Sequence, residues 1–130
     1  MIPDFTTANE GDEGSIPGGT TAGSITLISE GNLEPRGGYR SSGDVKLIFD
    51  EAADEYIISF ENLDSSGGPT VYVYLSQDTG ISNSARLGEL RSASGTLVYR
   101  IAASEFSPNF DTVLIWCDRI NEPFGVAFLN

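Results

Sequence analysis

The chain has 130 residues, 39% of them hydrophobic, and carries 19 acidic against 7 basic residues for a formal charge of −12. That field repels nucleic acid and anionic lipid headgroups, and no basic stripe offsets it. With no histidine and one cysteine, the sequence excludes Ser-His-Asp and Cys-His catalysis, His-ligated zinc or haem, Cys-rich zinc sites and iron–sulfur clusters.

Residues 1–23 are dense in Gly, Thr, Asp, Glu and Pro and lack apolar periodicity. Such a composition buries too little surface to offset its ordering entropy, so a flexible tether is expected there, with the folded domain over 24–130. No apolar run approaches the ~18 residues that mark a membrane-spanning helix.

From Ser24 onward the pattern becomes short β-rich runs separated by turn residues. "SITLIS" is the first candidate strand. "GDVKLIF" follows, with Val45, Leu47 and Phe49 alternating against Asp44, Lys46 and Ile48. The acidic loop "FDEAADEY" leads into "YIISF", where Tyr56, Ile58 and Phe60 share a face. "NLDSSGGP" reads as a turn cluster. In "TVYVYLS", Val71, Val73 and Leu75 lie on one side and Tyr72 and Tyr74 on the other. A long loop with one short strand around Leu87 comes next, followed by "TLVYRIA". "SEFSPNFD" is expected to form one helical turn capped by Ser104. "TVLIWCD" and "FGVAFL" close the chain, and "TVLIWC", apolar on both faces, reads as a central strand covered from both sides. The sum is an all-β domain: a single antiparallel β-sandwich or barrel of about eight short strands behind a flexible N-terminal tether.

The acidic cluster of Asp50, Glu51, Asp54 and Glu55 lacks the spacing of a calcium loop and reads as a solvated turn, so no metal site is expected. Tyr72 and Tyr74, at i and i+2, either cover a second face of the core or form a platform for sugars or a partner protein. Cys117 shares a strand face with Val113, Ile115 and, if the strand continues, Arg119, while Trp116 and Asp118 point the other way. A free cysteine commonly serves as a small buried hydrophobe, whereas an adjacent guanidinium lowers its pKa and activates it.

Three blocks resemble, in order, the DM13 domain family. They are "GPTVYVYLS", a Gly-Pro before a strand ending Tyr-Leu-Ser; "LGELRSASGTLVY", Leu-Gly-x-Leu with Gly-x-x-x-Tyr; and "FDTVLIWCDRINEPFGVAF", a Trp-Cys pair before Phe-Gly-x-Ala. The resemblance runs from Gly23 to Leu129. It implies a compact β domain, exported or surface-exposed, in which the Trp-Cys cysteine serves electron transfer, as a bare thiol or by ligating a prosthetic group such as haem. Carried over, that role falls on Cys117, with Trp116 as its neighbour. Thr70 stands where the family has an acidic residue, and Ile120, Glu122 and Pro123 stand where aromatic or aliphatic residues are usual.

The functional expectation is a non-catalytic, monomeric, thiol-based redox module centred on Cys117, with Trp116, Tyr72, Tyr74 and Arg119 as candidate binding residues and no cofactor, since Cys117 would be the only strong haem ligand. The resemblance places it in the periplasm or at the cell surface, held there in the precursor by a lipid anchor or leader, with a protein or redox partner. The alternative is an adhesion or glycan-binding module in which Cys117 is inert core.

Overall fold

The computed structural model describes residues 25–130 and the backbone of two short strands, β1 (Ala8–Glu10) and β2 (Asp12–Gly14), which pair antiparallel. The tether expected over 1–23 otherwise lies outside the described residues. Eight further strands follow: β3 (Ile25–Pro35), β4 (Ser41–Asp50), β5 (Glu55–Ser65), β6 (Val71–Ser76), β7 (Ser84–Glu89), β8 (Ser94–Ala102), β9 (Thr112–Cys117) and β10 (Glu122–Phe128). They form one sheet in the order β7-β6-β9-β10-β3-β4-β5-β8, and its two ends, β7 and β8, come together in a nearly closed barrel. The all-β fold with about eight strands is as expected, and the barrel-like form replaces the choice between sandwich and barrel.

An eight-stranded barrel has an interior that side chains alone can fill. Here the filling comes from alternate residues: Val45 and Leu47 of β4, Ile58 and Phe60 of β5, Val71, Val73 and Leu75 of β6, and Val113, Ile115 and Cys117 of β9. β9 lies between β6 and β10, and all six of its residues are buried. Its outward residues Leu114 and Trp116 join Tyr74 and Val126 in a second, smaller cluster, against which Tyr72 and Ile81 pack.

Closure between β7 and β8 relies on a side chain. The Tyr99 hydroxyl accepts a hydrogen bond from the Arg91 amide (3.1 Å) and donates one to the Glu89 carbonyl (2.7 Å). The Tyr99 ring meets Phe60 edge-on inside the barrel at 6.0 Å.

Two local expectations are corrected. β5 continues to Ser65 through residues whose composition signals a turn. A register shift between Phe60 and Leu63, with Asn62 at φ 55°, absorbs the irregularity and returns Leu63 to the core; asparagine tolerates the left-handed conformation better than most residues. The helical turn is a 3-10 turn over Ala103–Glu105 that begins after Ala102 and has no side-chain cap, so Ser104 sits inside it. Among the described residues, no helix is long and apolar enough to cross a membrane.

The β3–β10 seam depends on close backbone approach. A Cβ at Gly31 would collide with the Phe128 carbonyl of β10, and on the other side of β10 a Cβ at Gly125 would collide with the Ser41 side chain of β4. Gly31→Ala should therefore destabilise the domain by about 1–3 kcal/mol, the usual cost of overpacking. Gly67→Ala, whose Cβ would meet nothing closer than 3.6 Å, should stay within about 0.5 kcal/mol of the parent. Urea unfolding followed by tryptophan fluorescence checks both.

Candidate functional site

Cys117 ends β9, opposite Val71 of β6 on one side and Glu122 of β10 on the other. One more backbone bond follows the β6–β9 ladder: the Asp118 amide donates to the Thr70 carbonyl at 2.9 Å. Thr70 belongs to the turn Gly68-Pro69-Thr70-Val71, closed by the Val71 amide donating to Gly68 O at 3.4 Å. Proline at the second position of such a turn has its backbone pre-set for it. The turn brings Thr70 Oγ1 to 3.5 Å from Cys117 Sγ.

Beyond Cys117 the chain reverses through residues 118–121, with Asn121 in the left-handed conformation at φ 56°. The reversal keeps the backbone of Arg119 and Ile120 beside the sulfur, where it favours the charged form. The result is a thiol held below its ordinary pKa. The Thr70 hydrogen bond is the largest cause, burial works against it, and that backbone and the Arg119 charge add to the lowering.

Cys117 is 8% exposed and packs with Val113 and Ile115 in the barrel core. It also lines a cleft of about 210 Å³ at the end of the barrel. Tyr39 and Phe124, with ring centroids 4.0 Å apart at 30°, wall one side, and Gly67, Gly68 and Pro69 shape another. Arg119 and Ile120 complete the rim. Arg119 is exposed and has no carboxylate partner among the described residues, so its charge remains free for a ligand.

The five residues singled out from the sequence divide between two faces. Cys117 and Arg119 share the cleft, though Arg119 arrives by way of the turn and not along the strand. Trp116, Tyr72 and Tyr74 gather on the other side of β6 and β9. There the Tyr74 hydroxyl donates to Asp118 Oδ1 (3.1 Å), and Arg86 donates from Nε to Tyr74 Oη (3.1 Å) and from Nη2 to Asp118 Oδ2 (2.6 Å). The Arg86 guanidinium also covers the Tyr72 ring at 4.1 Å. Burial, foremost, raises the Tyr74 pKa; Arg86 pulls it down and Asp118 pushes it up.

Sequence reasoning did not select Tyr39 or Phe124, and noticed Thr70 only as a departure from the family pattern. Of the other departures, Ile120 lines the cleft, whereas Glu122 and Pro123 do not. No group of three or more metal-ligating side chains occurs among the described residues.

A family model described as electron transfer DM13 matches residues 36–129, well over half of the chain and all of the strands that build both faces around Cys117. The chain belongs to the DM13 family. It is thereby an electron-transfer-related domain, and the three blocks that suggested DM13 from sequence all fall within the match. No curated protein and no solved structure matches the chain.

In this DM13 domain the folded thiol ionises below the unfolded one. Thiolate formation therefore contributes stability above the unfolded pKa, and that contribution is lost as pH falls through the folded value. Thr70→Val removes the largest cause of the lowering while keeping the side-chain shape. The pH midpoint of alkylation of the folded protein by iodoacetamide should move upward in the variant, and the parent midpoint should lie below that of the urea-unfolded chain.

Proposed function

We propose that this DM13 domain carries oxidising equivalents through Cys117 acting as a bare thiolate, by thiol–disulfide exchange at the mouth of the cleft. The carrying observation is that Thr70 Oγ1 stands 3.5 Å from the sulfur at a cleft that Arg119 also lines, where the sulfur borders solvent-reachable space. Reactive cysteines sit in electropositive, partly accessible surroundings of this kind, whereas structural ones sit in apolar surroundings that raise their pKa.

In the exchange step the Cys117 thiolate attacks one sulfur of a disulfide, and the other sulfur leaves as a thiolate that takes a proton from water. A second thiol then attacks the mixed disulfide and releases Cys117. The lone cysteine has no resolving partner in its own chain, so the adduct persists until an external thiol arrives.

Size supports a bare thiol over a haem ligand. The cleft of about 210 Å³ is smaller than the ~300–1,000 Å³ of pockets that bury drug-sized ligands, and a macrocycle is no smaller than those. The partner is read as an external redox protein or small disulfide, met outside the cytoplasm as the family resemblance implies. With a chain charge of −12, a protein partner should present a basic face.

Incubation of the folded protein with oxidised glutathione, followed by intact mass, should give one glutathione adduct on Cys117 with unchanged circular dichroism, reversed by dithiothreitol. Arg119→Gln should slow the reaction. An adduct that forms only after unfolding would defeat the reading.

A further inference from the structure

The outer face of β6 and β9 holds a group of side chains that thiol exchange leaves unused. Trp116 is 6% exposed and its Nε1 has no hydrogen-bond partner among the described residues. Its ring meets Tyr74 edge-on, with centroids 6.5 Å apart at 72°. Tyr74, also 6% exposed, donates its hydroxyl proton to Asp118 Oδ1.

A buried tyrosine gives up an electron readily only when a hydrogen-bonded base takes its proton, because the oxidised phenol is a very strong acid. Asp118 supplies that base. Arg86 holds both partners in place, since its guanidinium bonds Tyr74 Oη and Asp118 Oδ2 at once. The indole is in the opposite position. With no acceptor at Nε1 among the described residues, an oxidised Trp116 has no such group to take its proton, and as a radical cation it draws an electron from its neighbour. Tyr72 stands opposite Trp116 in register, but its hydroxyl has no acceptor among the described residues.

We propose that Trp116, Tyr74 and Asp118 form a proton-coupled electron relay on the face of β9 opposite Cys117, with Tyr74 as the site where the oxidising equivalent comes to rest. An outer-sphere one-electron oxidant removes one electron from Trp116. Tyr74 returns one electron to the indole as its phenolic proton crosses to Asp118 Oδ1. The products are a neutral Tyr74 phenoxyl radical, a protonated Asp118 and a restored Trp116. A one-electron reductant reverses the sequence, and the proton returns to the phenolate oxygen. The purpose of such a relay rests on the electron-transfer reading of the domain; its chemistry does not depend on exchange at Cys117.

The test is flash oxidation of the full chain by photogenerated tris(bipyridine)ruthenium(III), read by transient absorption and by electron paramagnetic resonance of freeze-trapped samples. The parent should pass from a tryptophan radical to a tyrosyl radical. Tyr74→Phe keeps the ring packing and should lose the tyrosyl signal, leaving a longer-lived tryptophan radical. Asp118→Asn should reduce the tyrosyl yield and remove the solvent deuterium effect on its formation, which a purely structural role for Asp118 would not move. Equal tyrosyl yield in the parent and in Tyr74→Phe, or no tyrosyl radical in either, overturns the relay. The same measurements on Cys117→Ser separate the two readings. A relay intact in that variant, alongside a parent that fails to take up glutathione, would remove the thiol reading alone. Glutathione uptake without a Tyr74 radical would remove the relay alone.

Discussion

The hydrogen bond from the Asp118 amide to the Thr70 carbonyl fixes the geometry of both faces of this domain. It extends the β6–β9 ladder by one rung past the last strand residue. On the inner side it holds the Pro69–Thr70 turn close enough for Thr70 Oγ1 to reach the Cys117 sulfur. On the outer side it sets the Asp118 carboxylate where Tyr74 and Arg86 can both bond it. A strand alternates its side chains, so residues 117 and 118 must diverge, and one backbone bond therefore positions a thiol and a proton acceptor on opposite surfaces.

The barrel supplies the rigidity that such a site needs. β9 is central and wholly buried, and the register of β6 against it is continuous from Ser76 to Val71. The β3–β10 seam, where Gly31 permits close approach, carries Phe124 into the cleft wall beside Tyr39. Cys117 is thus anchored among core residues and meets polar donors only at the barrel end. That arrangement reconciles the two readings its composition left open, since a largely buried thiol can also be a stabilised anion where the strand stops.

Much of this was legible from period-two patterns. Val71, Val73 and Leu75 against Tyr72 and Tyr74, and Val113, Ile115 and Cys117 against Leu114 and Trp116, divide in the structure as they alternate in the sequence. What escaped was set by tertiary pairing. Arg86 lay in a segment read mainly as loop, and only the register of β7 on β6 places it opposite Tyr74. Arg119 shares the Cys117 face in the sequence only if the strand continues; the strand ends at Cys117, and the turn that follows delivers Arg119 to the cleft. The irregularity after Phe60 was masked by turn-forming residues that the strand accommodates with one left-handed asparagine. Thr70 was visible as an unusual residue, but nothing local indicates that it faces a sulfur 47 positions later.

The most direct test of a redox-active Cys117 is an equilibrium titration of the folded protein across a series of glutathione redox buffers, with the thiolated fraction read by intact mass. One reversible transition is expected, identical whether approached from the reduced or the oxidised side, with tryptophan fluorescence unchanged throughout and no transition in Cys117→Ser. Thiolation that appears only together with loss of the folded fluorescence, or that differs between the two directions, would contradict a redox-active Cys117 and return the residue to the role of core filling.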